Sequence, residues 1–214
     1  MIVLGITGSI GMGKTTAANM LRDMGIPVHD SDDAVRQLTN SGGAAVAAVA
    51  AAFPEAYNSG TNSINRGILR DSVRNNGPKL DLLESILHPL VVGMQQSWLR
   101  EQQANGIKIA GLDIPLLFET GAENRVDYTI VVTCPDFLQR ERVLKREGEK
   151  KGGMSEEDFA FLLSRQMSDA EKRARADFVV QTGNGLAYTR QELQGIISKV
   201  RGNAPSHESR HIPS

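Results

Sequence analysis

The sequence of 214 residues predicts an α/β fold, in which a parallel β-sheet is flanked by helices and carries a helical insertion. Three observations support this fold class. Short runs of β-branched residues alternate with helical patterns, as in parallel strands joined by crossover helices. A glycine-rich turn links the first run to the first helix. The stretch after the second run, residues 34–105, contains no convincing strand.

The elements before the insertion follow from local patterns. Residues 2–6 are apolar and rich in β-branched side chains, which indicates a buried strand. A helical pattern covers residues 14–24, and Gly25 is suited to end it because glycine tolerates the left-handed conformation found after helices. Residues 27–29 predict a second strand. The acidic cluster at residues 30–33 suits the start of the next helix.

The elements after the insertion alternate in the same way. Ser155, with Asp158 three positions later, resembles a capping box and indicates a helix start. Strands are predicted at residues 107–113, 126–133 and 178–180, and helices at about 136–146, 156–167 and 186–200. We expect one domain, with a core at about residues 1–33 and 106–202, the insertion at about 34–105, a mobile lid at about 139–175 and a flexible tail at 203–214.

Charge and composition exclude several classes of protein. The 24 Lys and Arg residues nearly balance the 25 Asp and Glu residues, so the net charge is −1. A duplex-DNA binder usually has a basic excess, so we expect no nucleic-acid partner. Cys134 is the only cysteine, which excludes an internal disulfide and a cysteine-rich zinc site and fits the reducing cytoplasm.

Three segments each lack what a targeting signal, a membrane span or a metal site needs. The apolar N-terminus is short and has no basic region before it, so we do not expect a signal peptide. The Ala-rich run at residues 44–53 is shorter than the ~20 residues of a membrane span, so we expect no membrane partner. The tail contains His207 and His211 but lacks further metal ligands.

The strongest motif comes directly after the first predicted strand. It fits the phosphate-loop (P-loop) pattern Gly-x4-Gly-Lys-Ser/Thr and reads Gly8-Ser9-Ile10-Gly11-Met12-Gly13-Lys14-Thr15. Glycines let such a loop bring its N–H groups to phosphate oxygens, and the helix after it directs its positive end at the same oxygens. Because the motif lies between a predicted strand and a predicted helix, the sequence predicts a P-loop NTPase-type fold.

The loop predicts ATP and Mg²⁺ as ligands. Lys14 would reach the β- and γ-phosphates, and Thr15 would place its hydroxyl oxygen on Mg²⁺. Thr16 would lie beside the α-phosphate. The remaining predicted nucleotide contacts are the backbone groups of Gly8, Gly11, Met12 and Gly13.

A GTPase is disfavoured by two motifs. No aspartate has glycine three positions later, so the Asp-x-x-Gly sensor of the γ-phosphate is missing. Asn124-Arg125-Val126-Asp127 is similar to the guanine-binding Asn-Lys-x-Asp. This segment precedes a predicted strand, however, whereas ligands bind at the carboxyl ends of strands. We therefore interpret Asp127 as a residue that starts a strand.

A small-molecule kinase fits better. Such an enzyme needs an acceptor-binding subdomain, a carboxylate for the acceptor hydroxyl and mobile arginines. The insertion and the acidic cluster are candidates for the first two. The candidate arginines, around a segment at residues 148–153 that we expect to be flexible, are Arg140, Arg142, Arg146, Arg165, Arg173 and Arg175. For most of them the better interpretation is a solvated helix face paired with Glu141, Glu147, Glu156 and Glu171.

Several segments, in order, resemble the dephospho-CoA kinase family over about residues 3–200. They are the P-loop, the acidic segment 30–37, and the most distinctive one, Asp113-Ile114-Pro115-Leu116-Leu117-Phe118-Glu119. The insertion contributes Ile64-Asn65-Arg66, Leu69-Arg70 and His88-Pro89. The family's lid and the segment after it are matched by Gln139, Arg142, Arg146, Arg165-Gln166, Glu171-Lys172-Arg173 and Ala176-Asp177.

The resemblance implies transfer of the ATP γ-phosphate to the ribose 3′-hydroxyl of dephospho-CoA, which gives CoA and ADP in the last step of coenzyme A biosynthesis. It implies that Asp32 is the catalytic carboxylate, which orients this hydroxyl and takes its proton late. Spacing alone does not choose between Asp30 and Asp32, because both face the same way if the strand continues. Asp32 also fits a helix N-cap next to Asp33.

Other roles are implied in the same way. Arg142 would stabilise the transferring phosphoryl group when the lid closes. Asp113 would hold Mg²⁺ through water or be a buried strand-end carboxylate. His88 would contact the acceptor or start a helix ahead of Pro89. The implied substrate-binding residues are Asp32, Arg70, His88, Asp113 and Leu116.

Departures from the family pattern leave alternatives open. Ser9, Met12 and Thr15 differ from the usual loop. The family often has Val-Ile-Asp-Asn-x-Gly where this chain reads Val179-Val180-Gln181-Thr182-Gly183-Asn184, which puts the adenine contact of that Asn in doubt. A kinase for another small acceptor is one alternative, and a nucleotide-dependent binding switch is another. The sequence also leaves open whether the protein is a monomer or a weak homo-oligomer.

Overall fold

The computed structural model describes residues 1–74, 76–148 and 154–202. Within these residues a central sheet has five parallel strands in the order β2-β5-β1-β6-β7. The strands of the chain are β1 (Ile2–Thr7), β2 (Val28–Asp30), β3 (Tyr57–Asn58), β4 (Ser63–Ile64), β5 (Ile109–Asp113), β6 (Tyr128–Thr133) and β7 (Phe178–Gln181). The predicted parallel α/β sheet is confirmed.

Helices cover both faces of this sheet. They are α1 (Lys14–Asp23), α2 (Ser31–Thr39), α3 (Val46–Ala52), α4 (Arg66–Val73), α5 (Gly77–Ala104), α6 (Asp136–Gly148), α7 (Glu156–Ser164), α8 (Asp169–Arg175) and α9 (Leu186–Gly202). Leu21 of α1 and Leu193 of α9 are fully buried in one core, together with Ile6 and Ile130 of the sheet. Gly25 ends α1 as predicted, with a φ of 79°.

The helices α2 to α5 build a hydrophobic cluster of their own, which extends along the chain from Ala34 to Val91. The structure adds an antiparallel hairpin here, in which β3 pairs with β4 around a turn. The sequence predicts no strand in this stretch, because two residues per strand give no readable alternation. The boundaries of the insertion as a domain remain a prediction.

The structure corrects the interpretation of His88 as a helix-start residue. Helix α5 is continuous over 28 residues, and Pro89 lies inside it. Its start is at Asn76, whose side chain accepts a hydrogen bond from the Lys79 N–H. A proline inside a helix removes one backbone hydrogen bond, and here Leu87 and Val91 on either side remain packed in the cluster of α2 to α5.

The predicted lid is anchored at both ends. Gln139 near its start is 6% exposed, and Lys172 near its end is fully buried. Ser155 accepts a hydrogen bond from the Asp158 N–H, as the capping pattern predicts. The predicted helix 156–167 is shorter, however, and a second helix, α8, begins after a capping box at Ser168. The predicted flexible segment after residue 148, the tail with His207 and His211, and the side chain of Arg146 lie outside the described residues.

Candidate active site

The carboxyl ends of β1, β2 and β5 bring the predicted site residues to one edge of the sheet. Asp113 ends β5 and is paired in register with Ile6 of β1 on one side and with Asp30 of β2 on the other. The P-loop follows β1, and the acidic cluster begins at Asp30. Asp113 therefore lies between the phosphate-binding motif and the predicted catalytic carboxylates.

The glycines of the P-loop are required by geometry. Gly11 and Gly13 have φ angles of 80° and 92°, in the left-handed region that favours glycine. A Cβ atom on Gly8 would lie 2.5 Å from Cγ2 of Val132, so a larger residue would displace strand β6. The loop therefore packs against the sheet more closely than any side chain at these positions would allow.

Side chains from outside the loop bind three of its backbone groups. The Ile10 N–H donates to Oε1 of Gln166 at 3.3 Å, and the Ile10 carbonyl accepts from Nε2 of Gln139 at 2.8 Å. The Met12 carbonyl accepts from Oγ1 of Thr182 at 2.6 Å. Among the described residues, no hydrogen bond uses the N–H of Gly11 or Gly13. These N–H groups, with those of the first turn of α1, are available to an anion.

Met12, a departure from the family pattern, is a packing residue of the loop. Its side chain is 1% exposed and lies in the core under the loop. The Sδ atom accepts a hydrogen bond from the N–H of Cys134 at 3.2 Å. The Met12 N–H donates to the Ser9 carbonyl at 3.1 Å, so the expected nucleotide contact of the Met12 backbone stays a prediction.

Lys14 and Asp113 form an ion pair beneath the loop. Their side chains are 14% and 3% exposed, so the pair is largely shielded from water. Burial raises the pKa of Asp113, Lys14 opposes this shift, and the nearby Asp30 and Asp32 add to it. The carboxylate thus holds the lysine in place at a cost in desolvation.

Asp30 and Asp32 differ in their surroundings. Asp30 is the N-cap of α2, and its Oδ1 accepts from the N–H groups of Asp32 at 2.9 Å and Asp33 at 3.1 Å. The strand therefore ends at Asp30, and the expectations that Asp32 is an N-cap or shares a strand face with Asp30 are wrong. A side-chain hydrogen bond decides this, and spacing does not reveal it.

Asp32 is the exposed carboxylate of the cluster. Its side chain makes no hydrogen bond or ion pair with any other described residue. Asp33, its neighbour, accepts from Nε2 of Gln37 at 2.9 Å and lies 3.6 Å from Arg36. Asp32 therefore differs from Asp30 and Asp33, whose side chains accept hydrogen bonds from described residues.

A buried polar chain that the sequence did not predict positions the acidic cluster. Ser31 donates to the Asp113 carbonyl at 2.6 Å, and Gln95 of α5 donates to the Ser31 hydroxyl at 3.0 Å. Arg125 donates to the Gln95 carbonyl oxygen at 3.0 Å, and burial lowers the pKa of this arginine. A sequence signal was present: Gln95 continues the buried i, i+4 stripe of Leu83, Leu87 and Val91.

Arg142 is linked to the P-loop through Thr182. Its guanidinium donates to Oγ1 of Thr182 at 3.0 Å and to the Thr182 carbonyl at 2.8 Å. Thr182 in turn packs against Gly13, where an added Cβ would lie 3.1 Å from its Oγ1. The predicted phosphoryl-stabilising role of Arg142 stays a prediction.

Most other arginines of the predicted lid are paired with carboxylates. Arg140 lies 2.8 Å from Glu156, as expected. Arg165 pairs with Asp81 and Glu84 of α5, and Arg173 with Asp169 at 2.8 Å. The partners of these two are not the glutamates that the sequence suggested. Arg175 instead lies over the ring of Phe118, 5.9 Å from its centre.

The predicted acceptor contacts are spread over two regions. Leu116 is half-buried, three residues after Asp113, and so belongs to the same sheet edge. Arg70 is exposed on α4, 3.8 Å from Asp71, and His88 is exposed on α5. No hydrogen bond or ion pair joins these two to the P-loop within the part of the chain that the structure describes.

Residues 1–74, 76–148 and 154–202 contain no group of three or more His, Cys, Asp or Glu side chains placed to hold a metal ion. None of the helices described has the length and apolar character to cross a membrane.

Asp127, which we interpret from the sequence as a residue that starts a strand, lies just before β6. Its carboxylate accepts a hydrogen bond from the Val3 N–H at 2.8 Å.

Comparisons with known proteins agree on one family. A family model described as dephospho-CoA kinase matches residues 2–187. Proteins named dephospho-CoA kinase from Agrobacterium fabrum and Rhizobium meliloti are 48% and 47% identical to this chain. Each match covers 94% of this chain, and 98% and 99% of the respective relatives.

Solved structures support the fold. A protein from Thermus thermophilus is 32% identical, with a TM-score of 0.73 over 93% of this chain and 97% of that one. A dephospho-CoA kinase from Campylobacter jejuni, 22% identical, has a TM-score of 0.61 over 92% and 96% of the two chains. A shikimate kinase from Acinetobacter baumannii, 14% identical, has a TM-score of 0.54 over 96% of both. The last two show the shared fold alone.

Proposed function

The chain belongs to the dephospho-CoA kinase family, and from this premise we propose which residues carry its reaction. It is an ATP-dependent enzyme that phosphorylates dephospho-CoA to CoA. The observation that supports the proposed roles is the arrangement at the sheet edge. A P-loop lysine is held by a buried carboxylate, Asp113, and an exposed carboxylate, Asp32, stands beside the pair without a partner among the described residues.

The P-loop binds the triphosphate of ATP. The N–H groups of Gly11 and Gly13 and the first turn of α1 donate to phosphate oxygens, and Lys14 binds the β- and γ-phosphates. Lys14 is held by Asp113 at the site, so it need not be ordered from solvent when ATP arrives. Prior ordering of this kind lowers the entropic cost of binding.

Asp32 accepts a hydrogen bond from the 3′-hydroxyl of dephospho-CoA. This bond orients the hydroxyl oxygen toward the γ-phosphorus. As the new O–P bond forms, the bond to the β-phosphate oxygen breaks, and ADP leaves with that electron pair. The hydroxyl proton passes late to Asp32, which suits a loose phosphoryl-transfer transition state. The carboxylate thus acts mainly by orientation.

Arg142 completes the site when the predicted lid closes. In this structure its guanidinium is hydrogen-bonded to the neutral groups of Thr182, and no ion pair among the described residues neutralises its charge. A movement from Thr182 toward the γ-phosphate would place a cation where negative charge spreads over the transferring group. The expected charge-stabilising role of Arg142 remains a proposal.

The donor set fits Mg²⁺ bound mostly through water and phosphate. This cation usually takes one or two protein oxygens and draws its other ligands from substrate and solvent. The Thr15 hydroxyl, exposed at the start of α1, would be one ligand, and Asp113 would act through water. When bound, the ion neutralises charge on the β- and γ-phosphates. Among the described residues no closed cation cage competes with this arrangement.

The insertion supplies the rest of the acceptor site in this proposal. Arg70 and His88 lie on its helices α4 and α5, and Leu116 lies on the facing edge of the core. The cluster of α2 to α5 gives this subdomain a core of its own, which allows it to move as a unit. A cytoplasmic location is also proposed, because the reaction uses ATP and the one cysteine, Cys134, fits a reducing compartment.

Two neighbouring substitutions test the role of Asp32. Asp32→Asn keeps the size of the side chain but removes its charge and its proton acceptor, so we expect kcat to fall about 10²- to 10⁴-fold with a near-normal KM for ATP. Asp33→Asn is the matched control, since Asn can still accept from Gln37, and it should keep kcat within a fewfold. Steady-state assays with Mg²⁺-ATP and dephospho-CoA measure both.

Near-normal kcat in Asp32→Asn would remove this carboxylate from the mechanism. Equal losses in both variants would mean that the cluster acts only through its total charge, and the acceptor hydroxyl would then need another partner.

A further inference from the structure

Both peptide groups of Ile10 are held by glutamine side chains from outside the P-loop. Gln139 comes from the first turns of α6, and Gln166 comes from the segment between α7 and α8. Gln139 is 6% exposed, so its amide lies in the protein interior. The mechanism above uses neither residue.

The two glutamine side chains have opposite hydrogen-bonding roles: Gln139 donates and Gln166 accepts. A carbonyl oxygen can only accept, so Gln139 must present its NH₂ group to the Ile10 carbonyl. A backbone N–H can only donate, so Gln166 must present its carbonyl oxygen to the Ile10 N–H. The chemistry of the backbone therefore fixes which end of each amide faces the loop.

The bond to Gln139 also sets the direction of the next N–H group. In a planar trans peptide the C=O and the following N–H point in opposite directions. Because the Ile10 carbonyl points at Gln139, the N–H of Gly11 points away from α6. No hydrogen bond among the described residues uses this N–H group. Gln139 thus determines whether Gly11 offers a donor or a carbonyl to the phosphate site.

A restraint is needed at this peptide because glycine allows it to flip. Gly11 has a φ of 80° and no side chain to hold it. A flipped peptide would direct the Ile10 carbonyl at the phosphates and repel them. The close contact between α6 and Gly11, where a Cβ would lie 2.7 Å from Cγ2 of Val143, leaves Gln139 next to the peptide it holds.

We propose that Gln139 and Gln166 form a clamp on Ile10 that presets the P-loop, with its Gly11 N–H directed at the phosphates of ATP. Gln139 is the main positioning residue, with a 2.8 Å bond, and Gln166 is the weaker one at 3.3 Å. The inference rests on the proposed nucleotide site. It predicts that the loop is already ordered before ATP binds.

The segment that carries Gln166 is itself fixed. The N–H of Met167, the next residue, donates to Oε1 of Glu119 at 2.7 Å. The same oxygen lies 2.9 Å from the ammonium of Lys172, which is fully buried. This ion pair holds the segment on the core, so Gln166 reaches Ile10 from a fixed position.

One substitution made at both positions tests the clamp. Gln→Glu adds the same negative charge near the loop in each case. Gln139→Glu destroys a donor and favours the flipped peptide, so we expect kcat/KM for ATP to fall about 10²-fold or more. Gln166→Glu keeps an acceptor for the Ile10 N–H, so its loss should be at least about tenfold smaller. Gln139→Met, which removes the hydrogen bond without adding charge, should lose about five- to tenfold.

A second measurement needs no variant and no acceptor. Amide hydrogen exchange of the wild-type chain should show the Ile10 N–H protected without nucleotide, whereas the Gly11 N–H should become protected only when ADP is added. Because the only ligand added is ADP, this result does not depend on which acceptor the enzyme phosphorylates. It also covers the case in which Gln139→Glu fails to fold.

Equal losses in the two Gln→Glu variants would overturn the clamp in favour of a general charge effect. Wild-type rates in Gln139→Met would do the same, and so would exchange data in which Gly11 is protected without ADP. Loss concentrated in Gln139→Glu, with melting temperatures close to wild type, supports it.

Discussion

Lys14 and Asp113 form a largely buried ion pair that is present before substrate binds. The lysine alone would be hydrated and mobile, and the carboxylate alone would be a buried charge without compensation. Each charge offsets part of the desolvation cost of the other, and the ion pair holds the lysine at the predicted phosphate site. The raised pKa of Asp113 shows that its burial outweighs the attraction of the lysine.

This balance predicts a pH-dependent stability defect in Lys14→Met. The folded chain binds the Asp113 proton more tightly than the unfolded chain, so this carboxyl costs stability as pH rises through its raised pKa. Without Lys14 that pKa rises further. We expect a loss of about 3 kcal/mol in unfolding free energy near pH 8 and a much smaller loss near pH 5.

The double variant Lys14→Met/Asp113→Asn is the control, because it removes the buried charge as well. It should recover most of the stability lost at pH 8, while remaining inactive. Urea unfolding at several pH values measures this, and a defect that is independent of pH would contradict the explanation.

The sequence predicts some site residues and not others for physical reasons. The P-loop and Asp113 are predictable because their backbone conformation and position follow from glycines and a strand end. Asp30 could not be told from Asp32 in that way, since the difference lies in one N-cap hydrogen bond. Gln139 matches the family pattern, but the sequence does not reveal its role. Its hydrogen-bond partner, Ile10, is far away in the sequence.

At the scale of elements, buried strands are the most predictable part of the fold. Strands β1 and β6 consist of apolar or β-branched runs that are buried on both faces, which is the pattern of parallel sheets. The hairpin of β3 and β4 and the continuous helix α5 were not predicted. In α5, tertiary packing of Leu87 and Val91 overrides the local preference of Pro89 to end a helix.

The contact between β2 and α5 predicts a titration that is visible by fluorescence. The His29 ring lies 5.4 Å from the ring of Trp98, the one tryptophan of the chain. Burial lowers the pKa of His29, although Asp30 and Asp33 oppose this shift. Protonated imidazole quenches indole emission. Trp98 fluorescence should therefore fall as the pH is lowered, with a midpoint below pH 6.5.

The same group makes the fold less stable in acid. A lowered pKa means that the folded chain binds this proton less tightly than the unfolded chain, so stability is lost as pH falls through the unfolded and then the folded pKa of His29. His29→Gln should abolish the fluorescence midpoint and flatten stability between pH 7 and 5. A midpoint that persists in this variant would assign it to another group.

At the scale of the molecule, the proposed reaction site lies at one edge of the parallel sheet, and side-chain contacts join the core to the helices of the insertion. Ser31, Gln95 and Arg125 join the acidic cluster to α5 of the insertion. Arg165, at the end of α7, pairs with Asp81 and Glu84 on the same helix. The predicted lid is thereby joined to the predicted acceptor subdomain as well as to the P-loop.

The most direct test of the whole account is ADP release from Mg²⁺-ATP with and without dephospho-CoA, with AMP, adenosine and shikimate as control acceptors. We expect turnover in the range of about 1–100 s⁻¹ with dephospho-CoA alone. CoA should appear in an amount equal to ADP, with the new phosphate on the ribose 3′-oxygen. Folded protein that binds ATP but shows no stimulation by dephospho-CoA, or equal stimulation by a control acceptor, would contradict it.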